Sequence, residues 1–172
     1  MRLKIMGKRR KSRECALQNL FIWDMTGEHP DELFYFYREL GVPKDEVEEW
    51  KAYSQRLVKG VIQHLEDIDN ILRKYSKHWR VERMGVVDRN ILRLAIYELL
   101  HCPDVPRAAV INEAIEIAKA YGDTDSSLFV NGNLDQICKK EIFPSEYPEP
   151  SEQQSEKPGQ QPGQQPEQPT IN

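Results

Sequence analysis

An all-α fold is what this sequence predicts, and three observations carry the prediction. Apolar residues recur every three or four positions through most of residues 8–143. No stretch alternates apolar and polar residues over the length of a strand. Gly, Pro and Asp gather at the ends of the periodic segments, where helices start and stop.

The first helix is expected from about Lys8 to Met25, with Ala16, Leu17, Leu20 and Phe21 on one stripe. Thr26-Gly27 ends it, and His29-Pro30-Asp31 opens a short second helix to Leu40. After Gly41-Val42-Pro43 comes a longer pattern, in which Trp50, Tyr53, Leu57, Val61, Leu65, Ile68, Leu72 and Tyr75 share a face. Gly60 marks a bend within it, since Gly in a helix costs about 1 kcal/mol. Val86 to Leu100 is apolar almost all round, as befits a buried central helix. It stops at His101-Cys102-Pro103. Asp104 is then placed to cap a helix with Pro106 in its first turn, running to about Tyr121 with Ile111, Ala114, Ile115 and Ala118 inward. Gly122 ends it, and Asp123 or Thr124 caps a last helix reaching Cys138–Ile142. Asn131-Gly132 inside that helix reads as an irregularity or a close helix–helix approach.

The domain boundary falls near Phe143-Pro144. Beyond it, Pro, Gln, Gly and Glu leave almost nothing apolar, so residues 144–172 are expected to be a disordered acidic tail. Residues 1–7 are expected as a flexible N-terminus, with Met6-Gly7 a candidate alternative start. Residues 8–143 form the helical domain, long enough to bury a core without metal or disulfide. The basic N-terminus lacks the apolar stretch of a secretory signal, and no apolar run is long enough to span a bilayer. A cytoplasmic, non-membrane protein is the expectation.

The net charge of −4 conceals a division. Residues 1–13 carry Arg2, Lys4, Lys8, Arg9, Arg10, Lys11 and Arg13 and no acid, so the domain behind them is acidic. A basic arm leading into an amphipathic helix suits nucleic-acid phosphates: Arg offers a planar fork and Lys a point charge. On composition alone a solvated, unspecific arm is an equal reading. The three cysteines lie far apart with no ligand spacing, and Cys15 and Cys138 fall at core positions. None of the four histidines has a carboxylate or Cys partner at catalytic spacing. No enzyme chemistry, metal or cofactor is expected.

Three blocks sharpen the reading. The first is Arg9-Arg10-Lys11-Ser12-Arg13-Glu14-Cys15-Ala16-Leu17-Gln18, with Leu20-Phe21 and Trp23-Asp24 behind it. The second runs from Val87-Asp88-Arg89-Asn90-Ile91-Leu92-Arg93 to Tyr97-Glu98-Leu99. The third is Val105-Pro106 through Ile111-Asn112-Glu113-Ala114 to Lys119, closed by Phe129-Val130-Asn131-Gly132-Asn133-Leu134-Asp135. In this order and spacing they resemble the NusB family of transcription antitermination factors along nearly all of residues 8–140.

That resemblance implies a bundle of about seven helices in two packed subdomains. It implies joint binding of the boxA element, a single-stranded sequence of ribosomal RNA leaders, with the ribosomal protein NusE. It also implies loading onto the RNA polymerase elongation complex to suppress premature termination. Lys8, Arg9, Arg10, Lys11 and Arg13 match the family's basic arm and are expected on RNA. Phe21 occupies an aromatic position on the first helix suited to stacking on RNA, and Phe129 matches a family position whose ring lies near the RNA, although by type alone either residue suits a core. Asp125 matches a position that tunes affinity, and Asp88 and Arg93 match positions facing the partner and the RNA. Arg89 and Arg93 share a helix face, so ion pairs to a neighbouring helix are a second reading for them. Asn112-Glu113 reads as an internal tie between helix ends. Ser12 departs from the small apolar residue usual at its position, and the family has no counterpart to the tail. Two alternatives remain: an RNA-holding domain like those preceding ribosomal RNA methyltransferases, here without a methyl-donor fold, and a homodimeric protein scaffold.

Overall fold

The computed structural model describes residues 2–28, 44–76 and 80–146. Among these the regular structure is helical throughout. In chain order the helices are α1 (Arg2–Thr26), α2 (Lys44–Gln63), α3 (Leu65–Tyr75), α4 (Val86–His101), α5 (Arg107–Tyr121) and α6 (Ser126–Ile137). A 3-10 turn at Val81–Arg83 precedes α4. The chain after α6 continues through a π-helical turn at Cys138–Ile142 and a 3-10 turn at Pro144–Glu146. The short helix expected at Asp31–Leu40 and most of the Pro/Gln tail lie outside the described residues.

α4 is the hub. Asn90 to Glu98 is one uninterrupted buried run, and α4 packs against every other helix. α1 and α2 pair with each other, as do α5 and α6, and both pairs close on α4. Leu20, Leu57, Ile68, Leu92, Ile96 and Leu134, from five of the helices, belong to one apolar cluster and are fully buried. Burying side chains of this size contributes roughly 1.5–3 kcal/mol each. All three cysteines are buried and none forms a disulfide.

Several local expectations are corrected. α1 begins at Arg2, not near Lys8, because residues 2–7 contain no Pro to interrupt the ladder. It ends as expected: Gly27 takes φ 75°, open to Gly without steric cost, and its N–H donates to the Trp23 carbonyl at 2.8 Å. The break in the long third pattern lies at His64, not Gly60. Gly60 instead admits the Tyr97 ring, since a Cβ there would stand 1.9 Å from Tyr97 Cζ. Asp104 does not cap α5; Pro106 occupies the cap position without a side-chain bond. Asp125, not Asp123 or Thr124, precedes α6, and its side chain makes no cap bond. The Asp123 N–H donates instead to Ser126 Oγ at 2.8 Å. Gly132 lies in unbroken helix with open space around it, so no helix approaches closely there. In α5 the buried residues are Val110, Glu113, Ala114, Ile117 and Ala118, with Ile111 and Ile115 half-buried.

Candidate nucleic-acid interface

One face of α1 turns inward and carries Ser12, Arg13, Cys15, Ala16, Leu17, Asn19 and Leu20. Arg13 thus shares the stripe of Ala16, Leu17 and Leu20 at helical spacing, and its side chain is only 5% exposed. Its Nε and Nη2 each donate to the Glu98 carboxylate of α4 at 2.8 Å. Tyr53 of α2 donates its hydroxyl to the same carboxylate at 2.5 Å. Burial pulls the Arg13 pKa down, but the bonds and charge of Glu98 more than offset it. Burial, followed by Glu98, pushes the Tyr53 hydroxyl up, so it stays a donor. The expectation that Arg13 meets RNA is corrected: its fork is already filled by a buried carboxylate, and it ties α1 to α4.

Arg93 is corrected on the same ground. It is buried, donates to both oxygens of Asp69 on α3 at 2.8 and 2.7 Å, and reaches Asp24 of α1 at 3.1 Å. Arg89 and Asn90 also donate to that Asp24 oxygen, at 2.7–3.1 Å. The ion-pair reading of Arg89 and Arg93 is therefore the one the geometry supports. Asp24 and Asp69 knit α1, α3 and α4 together.

Of the other basic residues of the arm, Arg9, Arg10 and Lys11 lie at the surface. Arg10, one turn before Arg13, is 43% exposed at its side chain and pairs with Glu113 of α5 through bonds of 2.9 and 2.8 Å. That bond, against slight burial, raises the Arg10 pKa. The internal tie expected of Glu113 is thus present, while Asn112 is exposed. Arg9 lies over the Tyr53 ring at 5.1 Å and faces Asp104. Lys11 is exposed, within 3.5 Å of Glu14, and Lys8 is half-buried. Phe21 is exposed on the outer face of the same helix, with Met25 one turn on. A strand of nucleic acid on this face would meet cations first and an aromatic ring further along.

A second surface forms where the N-termini of α4 and α6 meet. Here Asp88, Asp125 and Phe129 come together with Arg83, Met84, Gly85, Asp123, Thr124 and Ser126 around a groove of about 550 Å³. Phe129 is half-buried against the core and offers the groove an aromatic wall. One Asp88 carboxylate oxygen is buried and has no hydrogen-bond partner. Three aspartates repel phosphate, so the groove suits base edges with exocyclic donors, or cations of a protein partner. Arg83 and the exposed Tyr121 were not foreseen. Tyr121, whose hydroxyl pKa is raised by burial and then by Glu14, adds an aromatic beside α1 that its place at a helix end could have suggested. Among the described residues no cluster of His, Cys, Asp or Glu could hold a metal ion, and no helix is long and apolar enough to cross a membrane.

The NusB family model matches residues 10–139, about three-quarters of the chain, covering most of α1 and all of α2 to α6. The chain belongs to the NusB family. Members are transcription antitermination factors that bind RNA and carry out no catalysis. The NusB of Desulfatibacillum aliphaticivorans is 46% identical over 133 residues, covering 77% of this chain and 90% of its own. That of Symbiobacterium thermophilum is 44% identical over 136 residues, covering 76% and 89%. Among solved structures, T. maritima NusB superposes with a TM-score of 0.67 at 36% identity, over 81% of this chain and 96% of that one. A NusB solved with NusE and double-stranded RNA has a TM-score of 0.65 at 35% identity, over 78% and 98%.

Proposed function

We propose that this NusB-family chain binds boxA-type single-stranded RNA of ribosomal RNA leaders jointly with NusE. Through that complex it acts on the RNA polymerase elongation complex in the cytoplasm and suppresses premature termination. The observation that carries the reading is the exposed cationic face of α1, separate from the buried arginines that hold the fold. In this reading Lys8, Arg9, Arg10 and Lys11 meet phosphates, Phe21 and Phe129 stack on bases, and Asp88 and Asp125 face the partner and base edges. The similarity to a NusB solved with NusE and RNA supports it. Arg10 serves RNA only by exchanging its bond with Glu113, so its contribution is smaller than its charge suggests.

A gel-shift titration with boxA RNA, NusE and both, at two salt concentrations, tests the proposal. Weak binding by the chain alone, tightening with NusE and falling steeply with salt, is expected, because two surfaces then share one ligand. Equal binding with and without NusE, or no salt dependence, would defeat it. A homodimeric resting state is a second reading, favoured by Leu128, 73% exposed on α6. Light scattering separates the two: a dimer that persists beside excess NusE supports the scaffold.

A further inference from the structure

The arm on α1 does not end the cationic surface. Arg56 of α2 points to the same carboxylate as Arg9. Asp104, in the turn between α4 and α5, has Oδ2 at 3.5 Å from Arg9 Nη2. Its Oδ1 stands 3.4 and 3.5 Å from Arg56 Nη2 and Nη1. Arg56 Nη2 also donates to the His101 carbonyl at 3.3 Å. These contacts are long beside the 2.8 Å bonds of Arg13 to Glu98, at or past the limit of a good N–H···O bond. All three side chains are exposed, 39% for Arg9, 42% for Arg56 and 49% for Asp104.

Two guanidinium forks from two helices thus converge on one monoanion, one fork to each oxygen, with a surplus positive charge. A backbone phosphodiester is also a monoanion with two non-bridging oxygens, and a longer-reaching one than a carboxylate anchored in a turn. Asp104 caps no helix, and exposed pairs at such separations contribute little to stability, so the fold does not require the contact. Stacking over Tyr53 orients Arg9 and leaves its N–H groups available.

We infer that Arg56 is a further RNA contact: Arg9 and Arg56 clamp one backbone phosphate where the Asp104 carboxylate stands in the free protein. The bound strand then crosses from α1 onto α2. This rests on the RNA-binding reading above.

The test is fluorescence anisotropy of labelled boxA RNA titrated with the full chain and NusE, repeated at several salt concentrations. Loss of one phosphate contact on a single strand makes the log–log salt slope shallower by about 0.7, which at 0.1 M salt is about a fivefold weaker Kd. Arg56→Ala is expected to show both changes, and Asp104→Asn is expected to bind more tightly than the parent. Arg73→Ala, which removes an exposed charge on α3 away from this surface, is expected to bind as the parent does. If Arg56→Ala keeps the parent's affinity and slope while a Lys8/Arg9/Lys11→Ala variant weakens, the clamp is overturned and the arm stands. If both variants bind as the parent does, the RNA reading falls with it. An Arg73→Ala loss equal to that of Arg56→Ala overturns the clamp in favour of a general charge effect.

Discussion

Arg10 and Arg13 stand one turn apart on α1, each gripping a glutamate through two bonds, yet they belong to different parts of the molecule. Arg13 and Glu98 are sealed in the interior, where either charge alone would be intolerable. Arg10 and Glu113 meet at the rim, where water reaches Arg10, 43% exposed, while Glu113 is buried beneath it. Arg93 repeats the interior pattern with Asp69 and Asp24, and Arg9 and Arg56 repeat the rim pattern with Asp104. The lesson is that a run of basic residues is not one functional unit. Helical geometry divides it, turning Arg13 into the fold with Ala16, Leu17 and Leu20 and leaving Arg9, Arg10 and Lys11 at the surface. Glu113 links the two halves, since its carboxylate also lies 4.0 Å from Arg13 Nη1.

The division breaks first at Arg13. Removing one partner of a buried ion pair strands the other, so Arg13→Ala is expected to destabilise the fold by about 3–5 kcal/mol in urea denaturation. Arg10→Ala at the rim should lose less, because water reaches Arg10 and Arg13 remains 4.0 Å from the Glu113 carboxylate it leaves behind. Arg13→Lys does not restore stability, because an ammonium cannot reproduce the two parallel bonds to Glu98. Equal losses at the two positions would show that the interior and the rim are not distinct.

The next largest effect reads the opposite property. Replacing Lys8, Arg9 and Lys11 together by Ala removes about three phosphate contacts, which on a single strand at 0.1 M salt weakens RNA binding roughly a hundredfold. The urea midpoint should barely move, since these residues lie outside the core. A variant that unfolds, or one that binds undiminished, would assign the rim to stability or to nothing.

Much of this architecture was legible in the sequence, and the gaps have physical causes. The helices could be read because a 3.6-residue period is local, and α4 because it lacks a polar face. Even the burial of Arg13 was within reach, for it precedes Ala16, Leu17 and Leu20 by three, four and seven residues. What misled was residue type: Arg is mostly exposed, and its buried partner lies 85 positions away. The same distance problem hid the role of Asp104, which reads locally as a cap, and that of Gly60, whose reason is a tyrosine on another helix. The groove joining Asp88 to Asp125 and Phe129 has no local signal; family resemblance, not periodicity, named those three residues. Arg56 had no signal of either kind.

The two phenylalanines extend the comparison at smaller amplitude. Phe129 packs partly on the core, so Phe129→Ala should cost about 1–3 kcal/mol of stability besides any loss of RNA affinity. Phe21 is exposed, and Phe21→Ala should leave stability within about 1 kcal/mol while removing a stacking surface worth about 1–3 kcal/mol per base. Calorimetry of each variant, with RNA titrations alongside, distinguishes them. If Phe21→Ala melts early and binds normally, that ring belongs to the interior after all.

The smallest effect is a titration at the rim. His101 ends α4, its ring stacked on His64 at a centroid distance of 4.1 Å and near Tyr97 at 5.1 Å. Partial burial, and then the neighbouring His64, hold its pKa below the ordinary value of 6.5, against an opposing pull from Asp67. A helix C-terminus by itself favours the cation, the opposite direction to burial and the second imidazole. Because the unfolded chain takes the proton first, this histidine's contribution to stability is complete above about pH 6.5. It is lost as the pH falls from there through the depressed folded value. The urea midpoint should therefore drop between pH 7 and pH 5, and His101→Gln should flatten part of that drop. His64→Gln, by removing the neighbouring charge, should raise the His101 pKa in an NMR titration. If His101 in the parent titrates at or above the ordinary imidazole value, the stacked pair exerts no electrostatic penalty, and the acid sensitivity must come from the carboxylates of the interior.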